Sequence, residues 1–529
     1  MNRPFRQALH PIAAALLALA APIIQPSARA QDAKPTLVVL VTVDQMRGDY
    51  LERFGPQFTG GLKRLMQGGA WFTNAHHDHA ITETAPGHAT LLSGRFPRST
   101  GIMANRIGVD DEASPLLSNG IGGGASPHRF HGTTLVDWLR TTDARSRALS
   151  ASSKDRGAIL PVGTSKSEVY WYSPDGRFVT SSYYRDALPE WVEVWNGKRL
   201  PEQYAGKRWS LLLPESAYPE PDSVELEGGG RGFTFPHDLP ADSIDAANIV
   251  RGTPFIDEIT ISFALHGLES LALGKGPSTD VLAISLSATD YIGHRYGPDS
   301  REVHDQILRL DRVLGVFLDS LYKLRDSSKV TLALSGDHGV AQLPELAPAG
   351  VQPRPVRVTL NGILPDVRAG LRAAKLDTLA IDIDQQIVLA DRAAFRKANV
   401  NLDSTMDAMA KMIRAIPGVR RADRFSTLIA DSLTDPIARR WSHQFPATAQ
   451  IELAVTLNPG STWRGNVASH GSPYDYDSNV PLVFYGDGVK PGKHGEFVRT
   501  VDLAPTLAEI AHTRPTEKID GVVLKSALP

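Results

Sequence analysis

The sequence predicts an α/β fold: a central, mostly parallel sheet interrupted by two inserted subdomains. Three observations carry this. Continuous apolar runs at Leu37–Val43, Val281–Leu286 and Val330–Leu334 read as strands buried on both faces. Helical patterns alternate with them, at 59–66, 89–93, 256–273 and 301–323. The texture then changes in two blocks, 161–254 and 344–462, which leaves a core at about 36–160, 255–343 and 463–529.

The chain has 529 residues, 42% of them hydrophobic, enough for a large core and more than one domain. Its formal charge of −2 argues against nucleic acid as an obligate, charge-driven partner. With no cysteine, disulfides, thiolate nucleophiles and cysteine metal ligands are excluded.

Residues 1–30 read as a signal peptide. Arg3 and Arg6 precede an alanine-rich apolar stretch from Ile12 to Ile24, and Ala28-Arg29-Ala30 has a cleavage-site pattern, so the mature chain would start near Gln31. The apolar stretch is short for a membrane span and contains Pro22, which disfavours an uncleaved, stable membrane anchor. A periplasmic or secreted protein is expected.

Within the core, Ile307, Leu308, Leu310, Val313, Leu314 and Phe317 form the apolar stripe of an amphipathic helix over 301–323. A final helix is expected at 501–512. The first insertion, with Val169-Tyr170-Trp171-Tyr172, Pro189-Glu190-Trp191-Val192 and Gly228-Gly229-Gly230, reads as short strands and loops. Its aromatics are expected to pack rather than bind ligand. The second mixes strand candidates (356–360, 386–389, 450–457) with helices (367–374, 405–416) and fits an α+β subdomain.

Chemistry-bearing residues follow the strand runs. Asp44 comes directly after Val43, Asp290 and His294 follow Leu286, and Asp337-His338 follows Leu334 within Ser335-Gly336-Asp337-His338-Gly339. His470 precedes the run Val480–Tyr485. Open α/β sheets place their sites at such strand ends. Carboxylate and imidazole are ligands that a borderline metal such as zinc accepts. Asp290 and His294, four apart, would share a face of a helical turn. Each residue alone is a weak signal; three Asp and three His beside strands divide naturally into two tridentate sites.

Thr84, in Thr84-Ala85-Pro86-Gly87-His88, is a candidate nucleophile at a helix start, where free N–H groups and the dipole favour an alkoxide and a phosphate. A plain helix cap is the competing reading, and Thr82 and Thr90 are weaker candidates. His76, His77 and His79 read as loop residues or supports behind the site, since adjacent histidines seldom face one ion. His88 is expected to orient the nucleophile turn. Asp475-Tyr476-Asp477 could hold an additional cation but reads as solvated loop, and no such ion is assigned.

Together with Val43-Asp44-Gln45-Met46-Arg47, Gly101-Ile102-Met103-Ala104-Asn105 and Ser153-Lys154-Asp155-Arg156-Gly157-Ala158, these motifs resemble the alkaline phosphatase superfamily, in its type I phosphodiesterase/nucleotide pyrophosphatase branch. Within that branch they are most similar to secreted bacterial alkaline phosphatases with a threonine nucleophile. The motifs occur in the family's order across nearly the whole mature chain, with no departure at a matched position. The resemblance implies an alkaline-phosphatase-like three-layer sandwich and two zinc ions. Asp44, Asp337 and His338 would hold one ion, and Asp290, His294 and His470 the other. It also implies attack by Thr84 on phosphorus and phosphate contacts from Asn105, Lys154 and Arg156. The Lys-x-Arg pair marks monoesterases in the resemblance, so small-molecule phosphate monoesters are the expected partners. A diesterase using the same metals is the nearest alternative, and a non-catalytic binding protein a remote one. Thr at the nucleophile position disfavours a sulfatase, which needs Cys or Ser, and a mutase, which needs Ser.

Overall fold

The computed structural model describes Met1 and residues 34–529, apart from residue 119. Beyond Met1, the expected signal peptide lies outside the described residues.

In chain order the strands are β1 (Leu37–Val43), β2 (Ala70–His76), β3 (Ala148–Ser152), β4 (Glu168–Tyr172), β5 (Phe178–Val179), β6 (Asp280–Leu286) and β7 (Val330–Gly336). Next come β8 (Ile381–Asp384), β9 (Ile387–Ala390), β10 (Val419–Arg424) and β11 (Ile451–Leu457). The last are β12 (Asn479–Gly486), β13 (Gly492–His494) and β14 (Val498–Arg499). The central sheet has ten strands in the order β13-β2-β12-β7-β1-β6-β3-β4-β5, with β14 also on β2. Strands β7, β1, β6, β3 and β4 run parallel, whereas β12 is antiparallel to both its neighbours.

Helices α1 (Gly61–Gly68), α2 (Thr84–Leu91), α3 (Leu135–Thr142), α4 (Asp155–Ile159), α5 (Glu190–Gly197), α6 (Phe255–Ser270), α7 (Ala288–Tyr296) and α8 (Arg301–Leu324) cover the sheet's two faces together with α11 (Leu503–Ile510), whereas α9 (Leu402–Arg414) and α10 (Pro436–Gln444) belong to the second inserted segment. All seven β1 residues are buried. Leu37, Val39, Val41 and Val43 pack into one cluster with Ile259 of α6 and Leu310, Leu314 and Phe317 of α8. Val38 and Leu40 point the other way, toward Ala85 and Ala89 of α2, Trp138 of α3 and Leu507 of α11. A sheet buried on both faces between helices is the expected three-layer α/β arrangement, and it accounts for the unbroken apolar strand runs.

The first aromatic segment differs from expectation. The core sheet does not end near 160: β4 pairs in parallel with β3, and β5 is antiparallel to β4. Glu190–Gly197 is a helix rather than strand and loop. Its Trp191, Val192 and Trp195 suggest a strand by propensity, but packing overrides this. Phe263 of α6 stacks on Phe178 at 3.9 Å and meets Trp191 and Trp195 at 5.2 and 5.3 Å. From 381 to 457, strands β8–β11 make a separate antiparallel sheet in the order β8-β9-β11-β10. It shares a core with Met406, Met409 and Ile413 of α9, an α+β arrangement.

Gly61 opens the close crossing of α1 and α8: a Cβ there would lie 2.5 Å from the Leu314 carbonyl carbon. Gly61→Ala should therefore destabilise the protein by about 1–3 kcal/mol, read as a lower urea midpoint; an unchanged midpoint would show that the helices have room to move apart.

Candidate metal centre and active site

Strand register gathers the site. Val43 lies opposite both Leu286 and Gly336, and Ser152 opposite Ser285. The next residues therefore leave neighbouring parallel strands at one level: Asp44 after β1, Asp337-His338 after β7, and Lys154 after β3. Helix α7, carrying Asp290 and His294, starts from the same edge beyond β6. Because β12 is antiparallel to β7, the segment before it brings His470 to this edge too.

The six expected ligand residues come together. Ligand atoms of Asp44, Asp337 and His338 lie within 4.8 Å of one another. In the other cluster, His294 Nε2 is 3.2 Å from Asp290 Oδ1, His470 Nε2 is 3.2 Å from His294 Nε2, and His470 Nε2 is 3.9 Å from Asp290 Oδ1. Asp290, His338 and His470 form a further close group. His338 thus stands between the clusters, its ring stacked on His470 at 3.7 Å.

Each of the three histidines donates Nδ1–H to a backbone carbonyl at 2.8 Å: His338 to Gly339, His294 to Ala468 and His470 to Thr82. A carbonyl can only accept, so these bonds fix the tautomers and turn the Nε2 atoms inward, as in histidines that bind metals. Two nitrogens 2.0–2.1 Å from one tetrahedral ion would be about 3.3 Å apart, close to the His294–His470 separation. Both Asp44 oxygens are buried without a hydrogen bond of regular geometry. They face only the Lys154 ammonium, 2.5 Å from Oδ2, and His338 Nε2, 3.4 Å from Oδ1. This oxygen and nitrogen donor set fits divalent cations.

Three carboxylates in a buried space perturb every neighbour. Burial pushes Asp44 up, and the charges of Asp290 and Asp337 push it further. For Asp290 burial acts upward too, but the His294 and Lys154 cations outweigh it and hold the carboxyl well below its usual range. Burial also opposes the charge on His338, yet Asp337 and Asp44 prevail and push it up to about 10. His470 is held well below the usual value by burial and by His338 and His294. The Lys154 ammonium sits 2.5 Å from both Asp44 Oδ2 and Asp290 Oδ2, and those charges raise its pKa despite burial.

Thr84 begins α2, is 1% exposed, and has Oγ1 3.4 Å from His338 Nε2. It is not the cap: Glu83 occupies that position. Thr82 and Thr90 spend their hydroxyls on the Ser472 and Gly87 carbonyls. Gly87 lets α2 lie against the β7 exit, since a Cβ there would meet the Asp337 carbonyl oxygen at 2.2 Å. His88 Nδ1 lies 2.9 Å from the Thr84 carbonyl and 3.0 Å from Asp337 Oδ2, so it ties the Thr84 turn to the Asp337 carboxylate. Asn105 accepts from the Ala85 N–H at 2.8 Å. The half-buried Arg156 feels the charges of Asp155, Asp44 and Asp290.

The other histidines act elsewhere. His76 bonds Ser478 and Asn74, His77 bonds the Gly336 carbonyl and Thr500, and His79 packs edge-on to His77. Asp477 accepts from Ser472, and Asp475 pairs with Arg440. Among the described residues none of these joins a ligand group.

The family model for type I phosphodiesterases/nucleotide pyrophosphatases matches residues 38–435. The chain belongs to this family. Relatives of this phosphodiesterase/pyrophosphatase family member include the alkaline phosphatase PafA of Elizabethkingia meningoseptica, 31% identical over 90% of this chain and 91% of that protein. The alkaline phosphatase PhoV of Synechococcus elongatus is also 31% identical, over 96% of this chain and 95% of that protein. The crystal structure of PafA superposes with a TM-score of 0.87 at 29% identity, covering 94% of this chain and 99% of PafA. PafA has also been solved with a threonine, an asparagine, a lysine and an arginine substituted together.

Two residues escaped the sequence reading. Glu83 accepts from the Asn105 N–H at 2.6 Å and so fixes that loop to the start of α2. Gln45 touches two of the ligand carboxylates. An acid before a helix and an amide after a strand are too common to signal this from sequence.

In the metal-free protein the His338 proton stabilises the fold. Because its pKa rises from about 6.5 unfolded to about 10 folded, this contribution is complete below pH 6.5 and is lost as pH rises toward 10. The thermal midpoint of chelator-treated protein should fall across that window; a flat or rising midpoint would mean that His338 is neutral in the folded state.

Proposed function

We propose that this protein is an exported, zinc-dependent alkaline phosphatase that hydrolyses phosphate monoesters through a phosphothreonine intermediate. The observation that carries the reading is the placement of Thr84, buried at the start of α2 with Oγ1 directed at the ligand cluster and making no capping bond. The names of the relatives support it. So does the substituted PafA: its threonine and asparagine are 21 positions apart and its lysine and arginine two apart, the spacings of Thr84 with Asn105 and of Lys154 with Arg156. Export rests on the leader expected at residues 1–30; among the described residues no helix is long and apolar enough to cross a membrane.

Asp44, Asp337 and His338 would hold one zinc ion, and Asp290, His294 and His470 the second. When bound, the pair supplies positive charge at the attacking and leaving oxygens of an in-line displacement. Thr84 Oγ forms the new bond to phosphorus while the ester oxygen departs with its alcohol. Water then attacks the phosphothreonine and restores the hydroxyl. Asn105 offers its amide N–H, and Arg156 a two-pronged donor, to the non-bridging oxygens. Lys154, once its carboxylate partners are otherwise engaged, adds a point charge to the same dianion. A monoester carries about two negative charges and a diester one, so Lys154 and Arg156 favour monoesters.

Thr84→Ala should lower turnover of p-nitrophenyl phosphate by at least about a thousandfold while zinc content stays at the parent level. Full activity in that variant would discard the covalent route. Lys154→Ala and Arg156→Ala should each cost about a hundred- to a thousandfold on the monoester and much less on bis-p-nitrophenyl phosphate. Equal losses on both, or a parent that prefers the diester, would move the enzyme to the phosphodiesterase reading.

A further inference from the structure

We propose that Gln45 is a positioning residue that sets the two ligand clusters against each other. The inference rests on the two-cation reading above. Gln45 follows Asp44 in the chain. Its backbone N–H donates to Asp337 Oδ1 at 3.0 Å and its side-chain Nε2 donates to Asp290 Oδ1 at 2.7 Å. One residue therefore touches, by peptide bond, main chain and side chain, all three carboxylates of the site. Those carboxylates come from three separate elements, β1, β7 and α7, and no other described residue bonds to one acid of each cluster in this way except the charged Lys154.

The fold bears two costs to keep this arrangement. Gln45 has a φ of +62°, a left-handed conformation that is unfavourable for a residue with a side chain. It lets the N–H face β7 while the side chain turns toward α7. Gln45 is also 1% exposed, and among the described residues its buried Oε1 has no hydrogen-bond partner, which leaves a desolvated acceptor uncompensated. Gly293 opens the space: a Cβ on it would lie 1.9 Å from that Oε1. Stability alone would select neither cost, whereas holding a ligand in place would.

The chemistry explains the residue type. Asp290 Oδ1, the atom Gln45 holds, is also the one facing His294 Nε2 at 3.2 Å and His470 Nε2 at 3.9 Å. A neutral amide orients that oxygen without neutralising it. Glutamate would add a fourth negative charge to the pocket, and asparagine is one methylene too short to reach. A hydrogen bond on a ligating carboxylate sets its lone-pair direction, and losing such a partner weakens metal binding about 10- to 100-fold.

The test is a chelator-competition zinc titration of the purified protein at pH 8, comparing the parent with Gln45→Asn. Asparagine tolerates the left-handed backbone, so the bond to Asp337 survives while the bond to Asp290 is lost. The expected result is selective: the affinity of one zinc equivalent falls 10- to 100-fold and that of the other changes less than about threefold. Should that variant fail to fold, Gln45→Met fills similar space without the amide donor and should weaken the same equivalent. Parent-like affinities for both equivalents, or equal loss of both, would overturn the inference and leave the two-cation reading intact. A parent that takes up no zinc would instead remove the reading on which the inference stands.

Discussion

Three buried carboxylates gathered around Lys154 and His338 are the constraint on which this structure turns. In low dielectric such charges cannot remain uncompensated. Around Asp44, Asp290 and Asp337 the fold supplies the Lys154 ammonium, 2.5 Å from two of them, and imidazoles whose Nε2 atoms point inward. The strong shifts on His338 and Lys154 follow from this crowding. The same crowding suits the pocket to cations: three acids and three inward imidazoles form a donor set that could hold them.

The sheet makes that crowding possible. Because β1, β6 and β7 end in register, residues almost 300 positions apart in sequence leave the sheet at one level. The second, α+β segment then packs on the loops that flank Thr84 and Asn105. Gln444 of α10 accepts from the Ile81 N–H at 2.8 Å and donates to the Met103 carbonyl at 2.5 Å. Arg439 pairs with Asp78, and Asp384 at the end of β8 pairs with Arg106 beside Asn105. Thr84 and Asn105 are thus held from both sides, by the central sheet below and by the α+β segment above.

Much of this was legible in the sequence for a physical reason. A strand buried on both faces must be an unbroken apolar run, so β1, β6 and β7 announce themselves, and the polar residues at their ends stand out against them. Asp44, Asp290, His294, Asp337 and His338 were readable on that ground, and His470 by its place before β12. What was hidden depends on packing or on three-dimensional convergence. The aromatics of β4, β5 and α5 look like those of an irregular insertion until Phe263 is seen to stack against them. Lys154 reads as a free phosphate contact, yet its ammonium lies between Asp44 and Asp290. Gln45 belongs to the Val43–Arg47 motif, but no role can be read for it there, since that role exists only once β1, β7 and α7 meet.

The most direct measurement is anomalous diffraction at the zinc edge from crystals of the zinc-loaded protein. Two peaks are expected, one among Asp44, Asp337 and His338 and one among Asp290, His294 and His470. A single peak shared through His338, or peaks away from these six residues, would mean that the crowded carboxylates serve something other than a pair of cations.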